Sequence, residues 1–205
     1  MWILPTHNRP AEMLNALHSF YGHGAGPMVV VINKGDREAE YRDAVASFEH
    51  WKETTNTPGG KPLFIFDTED RSHADALNYY VERCDIEPWH GVLSDDVIAH
   101  TTGWSEKLVA TAMKHGMASA NDLARAPAMV GGGFVLRADI IKAAGWFAPP
   151  GVKHNFIDDA WQRIGRETGI WRVRMDVVLE HRHFMFNKSP VDPTYARVMD
   201  RLDGD

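Results

Sequence analysis

Short apolar runs typical of buried strands alternate with amphipathic helical patterns along the first half of this 205-residue chain. Met28–Ile32 is the clearest run, because its valines and isoleucine are typical of a strand that is buried on both faces. Further strand signals lie at 2–4, 63–66 and 90–93. Strands that alternate with helices predict an α/β fold, in which helices flank a mostly parallel central sheet.

Capping residues and glycines predict where the helices begin and end. Asn8 is expected to cap the first helix, and Ser72 the helix after the third strand. The second half of the chain has a less regular pattern. It predicts helices at 138–144 and 158–167, one or two strands within 170–179, and a final helix near 194–202.

Composition narrows the class of protein. The single cysteine, Cys84, excludes an intramolecular disulfide and a cysteine-based zinc site. The net charge of −6 gives the chain no global attraction for polyanions. A local basic patch could still be formed by a set of Lys, Arg and His residues: His50, Lys52, Lys61, Arg71, Lys153, His154, Arg182 and Lys188. No stretch approaches the roughly 20 apolar residues that span a bilayer, and no signal peptide is visible. We therefore expect a cytoplasmic protein without a membrane segment.

Polar residues follow three of the predicted strands, at 6–9, 33–36 and 94–96. Ligands of open α/β sheets bind beyond the carboxyl ends of the strands. The topology alone therefore predicts a nucleotide-sized site across these three strand ends.

Two acidic pairs and one histidine pair are the candidates for chemistry. Adjacent carboxylates such as Asp95 and Asp96 repel each other unless a cation or hydrogen-bond donors compensate, and Mg²⁺ or Mn²⁺ binds such oxygens. A solvated turn or a helix cap also explains that pair. Asp158 and Asp159 suit either catalysis or the first turn of a helix, where Asp159 is spaced for an ion pair with Arg163.

His181 and His183 alternate in an extended segment, so both point to one face. Such a pair either binds a metal or simply occupies a surface strand.

Taken in order, these segments resemble the GT-A glycosyltransferases, in particular glycosyltransferase family 2, from Ile3 to about His183. The matching stretches are ILPTHNRP at 3–10, VVINKGD at 30–36, ALN at 76–78, LSDDV at 93–97, GGFVLR at 132–137, AGWF at 144–147, DDAW at 158–161 and EH at 180–181. Ser94 stands where the family often has the first Asp of its Asp-x-Asp segment.

The resemblance implies a GT-A, Rossmann-like fold with a smaller mixed acceptor-side region, in a single domain over 1–205. Residues 1–100 would form the nucleotide-binding half, 101–183 the acceptor and catalytic half, and 184–205 a tail. Asp159 would be the catalytic base, with Asp158 beside it. The implied donor-binding residues are Pro5, Thr6, Arg9, Asn33, Asp36, Asn78, Ser94, Asp95 and Lys188. The implied metal ligands are Asp96 and His181, with Asp95 and His183 as further candidates, and the acceptor side would include Gly132, Gly133 and Trp146.

The implied activity is transfer of a sugar from a nucleoside diphosphate sugar, expected to be a UDP-sugar, to an acceptor hydroxyl. The transfer would invert the anomeric carbon and use Mn²⁺ or Mg²⁺. The sequence does not identify the acceptor: a saccharide, a lipid carrier, a protein and a hydroxyl-bearing modified DNA base are all open. We also expect the segment 184–193, with Asn187 and Lys188, to close over the donor.

Two alternatives remain at this point. A metal-dependent nucleotidyltransferase has a similar architecture, but the Gly-rich opening loop typical of that class is not found here. A non-catalytic nucleotide-sugar-binding module would have no need of Asp159.

Overall fold

The computed structural model describes residues 1–35, 37–69, 71–84, 87–124, 132–153 and 156–191, and within them eight strands form one mixed sheet. The strands are β1 (Trp2–Thr6), β2 (Met28–Ile32), β3 (Leu63–Phe66), β4 (Trp89–Leu93), β5 (Val97–Ala99), β6 (Met117–Asn121), β7 (Gly133–Arg137) and β8 (Trp171–His181). The helices are α1 (Pro10–Gly22), α2 (Glu38–Thr55), α3 (His73–Arg83), α4 (Trp104–His115), α5 (Ala138–Ala144) and α6 (Ile157–Glu167), and a 3₁₀ turn covers Phe184–Phe186. In these described parts, no helix is both long and apolar enough for a membrane crossing.

The strand order across the sheet is β3-β2-β1-β4-β7-β6-β8-β5. The first four strands run parallel to one another, and β7 runs antiparallel to both of its neighbours, β4 and β6. β8 is parallel to β6, and the short β5 pairs antiparallel with the end of β8. The predicted α/β fold with a mostly parallel sheet is therefore confirmed.

Apolar side chains form one core on each face of the sheet. Leu4 of β1 contributes to the first core and Ile3 to the second, because successive side chains of a strand point to opposite faces. Helices α1, α2 and α4 cover the first core, where Trp104 is fully buried. Helices α3, α5 and α6 cover the second core, where Trp161 is fully buried.

The beginnings of two helices test the capping predictions. Ser72 caps α3, because its side chain accepts a hydrogen bond from the backbone N–H of Asp75, as predicted. Asn8 does not cap α1: the N-cap position belongs to Arg9, which makes no side-chain cap bond. Asn8 instead has a φ of 55°, a left-handed conformation that Asn adopts more readily than most residues. That prediction was wrong because Asn8 forms the turn before the helix.

The second half is more regular than the sequence suggested. Helix α4 and strands β5 and β6 were not predicted, and β8 is one strand that continues to His181. The sequence of β6, MASAN, is rich in small residues, so its pairing with β7 and β8 and not its intrinsic propensity makes it a strand. The predicted helix at 194–202 lies outside the described residues.

His90 predicts how the stability of the fold depends on pH. Burial lowers the pKa of this β4 residue to about 4, with further contributions from the N-terminal amine and Lys142. The unfolded chain binds the proton near pH 6.5, so the free energy of unfolding should fall between pH 6.5 and 4, by at most about 1.4 kcal/mol per pH unit. In urea denaturation at pH 7 and pH 4.5, His90→Phe should lose this part of the pH dependence. The control His50→Gln, which removes an exposed histidine of α2, should keep it. An unchanged pH dependence in His90→Phe would contradict the assignment.

Candidate functional site

The parallel strands β1, β2, β3 and β4 end at one edge of the sheet, so the polar residues after them lie along that edge. The backbone N–H of Asn33 donates to the carbonyl of Thr6, and the N–H of Asp67 donates to the carbonyl of Ile32. These bonds continue the sheet pairing one residue past the strands. The ends of these strands therefore lie at one edge of the sheet, as the sequence predicts.

Asp95 is the centre of a buried hydrogen-bond network at this edge. The Thr6 hydroxyl donates to Oδ2 of Asp95 at 2.8 Å, and Nη1 of Arg9 donates to Oδ1 at 3.2 Å. The proton of Thr6 is committed to Asp95, so the Tyr41 hydroxyl donates to Thr6 at 2.7 Å and itself accepts from the backbone N–H of Arg9 at 2.8 Å. Both oxygens of Asp95 thus have donors from the protein. Thr6 and Arg9, which the resemblance places at the donor, hold Asp95 in this structure.

The position of Asp95 is electrostatically costly. Burial raises the pKa of the Asp95 carboxyl, and the neighbouring Asp96 raises it further, whereas Arg9 and Thr6 act in the opposite direction. A carboxylate pair that is buried at the ligand edge of a sheet is typical of a functional site. A cation bound beside the pair would relieve their mutual repulsion.

Asp96 meets His181 across the short pairing of β5 with β8. Nε2 of His181 lies 3.2 Å from Oδ2 of Asp96, and both side chains are about nine-tenths buried. Backbone bonds set this contact: Arg182 N–H donates to the Asp96 carbonyl at 2.7 Å, and His181 N–H donates to the Asp122 carbonyl at 3.0 Å. The two residues that the resemblance implies as metal ligands are therefore neighbours.

The Asp96–His181 pair fits a divalent cation. Two ligand atoms at right angles on an ion with bonds of about 2.1 Å lie about 3 Å apart, close to the observed separation. Within the described residues, no group of three His, Cys, Asp or Glu side chains could hold a metal. Mg²⁺ commonly completes its coordination with water and substrate phosphate.

Of the two further metal candidates, Asp95 has its oxygens engaged as described. His183 caps the 3₁₀ turn, since its Nδ1 accepts from the N–H of Met185 at 3.3 Å, and its ring lies 5.3 Å from that of His181. Asp95 and His183 thus have protein partners of their own in this structure.

Gly132 and Gly133 give close backbone approach next to this pair. The carbonyl of Gly132 accepts from the N–H of Ser94 at 3.0 Å, and Gly133 pairs with Leu93. The resemblance places both glycines on the acceptor side, whereas the structure packs them against the strands that carry the acidic pair and His181.

Replacement of Gly132 by alanine should disturb the Asp96–His181 pair. A Cβ at this position would lie 2.6 Å from Val97 and 3.4 Å from the His181 ring. We expect Gly132→Ala to lower the free energy of unfolding by about 1–3 kcal/mol, the usual effect of overpacking, and to weaken Mn²⁺ binding. Urea denaturation and calorimetric Mn²⁺ titration measure the two effects. Gly60→Ala is the control, because a Cβ there meets nothing within 4 Å. Equal stability and equal Mn²⁺ affinity in the two variants would contradict the prediction.

Asp158 and Asp159 lie in the first turn of α6, as the sequence predicts. The helix follows Phe156, which is 60% exposed and has a left-handed φ of 71°, an unfavourable conformation for a bulky residue. Arg163 pairs with Glu167 one turn further along the helix, at 3.0 Å. The acidic turn therefore follows one exposed residue with a strained backbone conformation, and such strain is frequent at functional sites.

The remaining candidates have mixed outcomes. Pro5 pairs with Val31 inside the sheet, and Oδ1 of Asn33 is buried without a hydrogen-bond partner in the part of the chain that the structure describes. Asp36 lies outside the described residues. Asn78 uses its amide on the backbone of Phe147 and Ala148, and Trp146 packs against Trp161.

Lys188 is held by protein groups in this structure. Its Nζ donates to Glu180 at 3.1 Å and to the Leu123 carbonyl at 3.2 Å. A hydrogen bond from His100 lowers the pKa of Glu180 to about 2, and Lys188 contributes to the same effect. The predicted approach of Lys188 to a diphosphate would require it to leave Glu180.

Some residues of the predicted basic patch form ion pairs with acidic side chains. Lys61 pairs with Glu53 and Arg71 with Asp67, and Lys188 pairs with Glu180 as described. A groove of about 450 Å³ between α4 and β8 is basic instead. Its charged and titratable lining residues are Lys114, His115, Arg172 and Arg174.

Sequence reasoning missed Tyr41 and Asp67, and it named Arg71 only as a member of the basic patch. Asp67 directly follows β3, so the strand-end rule that selected the other tips could have found it. Its side chain is almost fully buried and accepts from Arg71, whose guanidinium lies 3.9 Å over the Tyr79 ring. Tyr41 lies mid-sequence in a helix, and no local pattern indicates that its hydroxyl reaches Thr6.

Comparison with known proteins shows the fold and leaves the activity open. No family model and no curated protein matches the sequence. Among solved structures, a mannosyltransferase from Pyrobaculum calidifontis in complex with GDP-Man and Mn²⁺ superimposes with a TM-score of 0.63 and 17% identity, over 89% of this chain and 56% of that one. GalNAc-T7 with UDP, GalNAc and Mn²⁺ gives a TM-score of 0.63 and 12% identity, over 88% of this chain and 42% of that one.

A third structure has a similar length. A Bacillus anthracis protein assigned as a glucose-1-phosphate thymidylyltransferase gives a TM-score of 0.55 and 12% identity, over 95% of this chain and 98% of that one. The chain thus has the GT-A fold, and it spans little more than half of the mannosyltransferase and less than half of GalNAc-T7.

Proposed function

We propose that the protein is a glycosyltransferase that transfers a sugar from a nucleoside diphosphate sugar to an acceptor hydroxyl and depends on a divalent cation. The observation that carries the proposal is the pairing of Asp96 with His181 at 3.2 Å, beside a buried Asp95, at the carboxyl edge of a GT-A sheet. The Mn²⁺ and nucleotide ligands of the mannosyltransferase and GalNAc-T7 support it.

In this proposal, one set of residues holds Asp95 in place and another would bind the cation. Thr6, Arg9 and Tyr41 hold Asp95 and so fix the loop that carries Asp96. Asp96 and His181 would hold Mn²⁺ or Mg²⁺. When bound, such a cation stabilises negative charge that develops on a leaving diphosphate.

Asp159 would accept the proton of the acceptor hydroxyl as a general base. A positioned base must lie within hydrogen-bond reach of that proton, and the first turn of α6 presents two carboxylates for the task. A base on the acceptor side suits direct attack on the anomeric carbon, so we propose that the reaction inverts its configuration.

The reaction product distinguishes a glycosyltransferase from a non-catalytic nucleotide-sugar-binding module. The full chain is incubated with Mn²⁺, a panel of UDP- and GDP-sugars, and saccharides or DNA that contains hydroxymethylated bases. A glycosyltransferase releases nucleoside diphosphate in step with acceptor glycosylation. Absence of transfer and of nucleoside diphosphate release across the panel, despite donor binding, would favour a binding module and contradict the proposal.

A nucleotidyltransferase is the second candidate, and one observation favours it. The alignment with the thymidylyltransferase structure covers 98% of that chain, whereas the alignment with the mannosyltransferase covers 56% of that one. Such an enzyme would join the nucleoside monophosphate part of a nucleoside triphosphate to the phosphate of a sugar phosphate and release pyrophosphate. Pyrophosphate release when nucleoside triphosphates and sugar phosphates are supplied, without nucleoside diphosphate release from the nucleotide sugars, would decide in its favour.

A further inference from the structure

The hydrogen bonds of Asn78 connect α3 to the segment between α5 and α6. Oδ1 of Asn78 accepts from the N–H groups of Phe147 and Ala148, both at 2.8 Å, and Nδ2 donates to the Ala148 carbonyl at 2.9 Å. One turn earlier on α3, the N–H of Ala74 donates to the Lys153 carbonyl at 3.0 Å. Helix α3 thus holds the segment 147–153 at both of its ends.

The same segment holds α6. The fully buried Trp161 donates its indole N–H to the Phe147 carbonyl at 2.6 Å, and its ring lies 5.0 Å from that of Trp146. Phe147 therefore bonds to Asn78 through its N–H and to Trp161 through its carbonyl. Its ring also stacks on Phe134 of β7 at 5.8 Å, with an interplanar angle of 7°, which limits sliding of the segment.

Trp161 lies two residues after Asp159 on α6. A shift of the Phe147 backbone would therefore move the turn that carries Asp158 and Asp159. Displacement of a reacting group by about 1 Å can lower a rate by roughly 10²-fold. The contacts of Asn78 can therefore affect the position of the turn with Asp158 and Asp159, although Asn78 itself need not touch the donor.

We propose that Asn78 is a positioning residue for the catalytic half of the site: it sets the place of Asp159 through Phe147 and Trp161. The proposal rests on the base role of Asp159 proposed above. It replaces the donor contact that the resemblance implies for Asn78. Helix α3 then links the nucleotide-binding half to the acidic turn of the acceptor half.

Four variants test the link in the full chain: Asn78→Ala, Asn78→Asp, Trp161→Phe and the double variant Asn78→Ala/Trp161→Phe. Trp104→Phe is the matched control, because it removes another buried indole bond to a backbone carbonyl, that of Phe20 in the opposite core. Melting temperature, the affinity for UDP and GDP with Mn²⁺, the KM of the donor and the turnover of sugar transfer are measured for each.

We expect Asn78→Ala and Trp161→Phe each to lower turnover by roughly 10- to 100-fold, with nucleoside diphosphate affinity and donor KM within about twofold of wild type. The double variant should lose no more than the worse single variant, because both act on the same segment. Asn78→Asp, which keeps the acceptor oxygens for Phe147 and Ala148, should retain more turnover than Asn78→Ala. Trp104→Phe should lower the melting temperature without a comparable loss of turnover.

Several results would overturn the proposal. A loss of nucleoside diphosphate affinity of tenfold or more in Asn78→Ala would return Asn78 to the donor site. Losses that multiply in the double variant, or turnover within twofold of wild type in both single variants, would break the link. If these variants behave as wild type while Asp159→Asn is impaired, only the role of Asn78 fails. Wild-type turnover in Asp159→Asn would remove the proposed base as well.

Discussion

Asp159→Asn should lower the turnover of sugar transfer by roughly 10²–10⁴-fold, the usual contribution of a positioned general base. The substitution keeps the size of the side chain and its place in the first turn of α6, but it removes the basic carboxylate. Donor affinity should remain nearly unchanged, because the proposed base acts on the acceptor hydroxyl. Steady-state kinetics with calorimetric donor binding measure both quantities.

Asp158→Asn is the matched control for this prediction, since the two residues share one helical turn. We expect it to have a milder effect on turnover. If Asp158 and Asp159 only stabilise the start of α6, both variants should instead keep their turnover and lose about 0.3–1 kcal/mol in the free energy of unfolding. Turnover close to wild type in Asp159→Asn would contradict the base assignment.

Asp96→Asn should lower turnover by roughly 10²–10³-fold or more, because it removes the charged partner of His181 at the proposed cation site. EDTA should likewise abolish turnover of the unmodified protein, and Mn²⁺ or Mg²⁺ should restore it. In the variant, added Mn²⁺ should no longer raise the rate. A titration of rate against Mn²⁺ concentration compares the two proteins directly.

Asp176→Asn is the control for Asp96→Asn, because it removes a carboxylate of β8, the strand that carries His181, and this carboxylate pairs with Arg174 instead. It should respond to Mn²⁺ as the wild-type protein does. Full activity in EDTA, or an unchanged Mn²⁺ response in Asp96→Asn, would leave Asp95 and Asp96 as a structural turn.

The strands that the sequence predicted best are two continuous apolar runs. Met28–Ile32, which is buried throughout, and Leu63–Phe66, a partly exposed edge strand, both have the predicted limits. The helices with local signals were also predictable, as the Ser72 cap of α3 shows. Strand β6 was not, since its small residues become a strand only through their neighbours.

The residues of the candidate site likewise include some with a local sequence signal and some without one. Asp95 and Asp96 were found because β4 ends at Leu93, two residues before Asp95, and this signal is local. The partners of Asp95 are distant in sequence, and Tyr41 became visible only in the structure. Asn78 was selected for a donor contact, but its amide bonds to a segment about 70 residues away, which no local pattern reveals.

The partners of the acidic pair also have a consequence for how the protein is made. The bonds from Thr6 and Arg9 to Asp95 span 89 and 86 residues, and the imidazole beside Asp96 is on β8, near the end of the described chain. Contacts so remote in sequence form late, because long loops must close before them. During synthesis, strands β1–β4 can therefore emerge and associate while Asp96 still lacks its histidine. Nascent chains should acquire cation affinity only after β8 has left the ribosome, so a product that stops before His181 would contain Asp96 and Asp159 but would lack the proposed cation site.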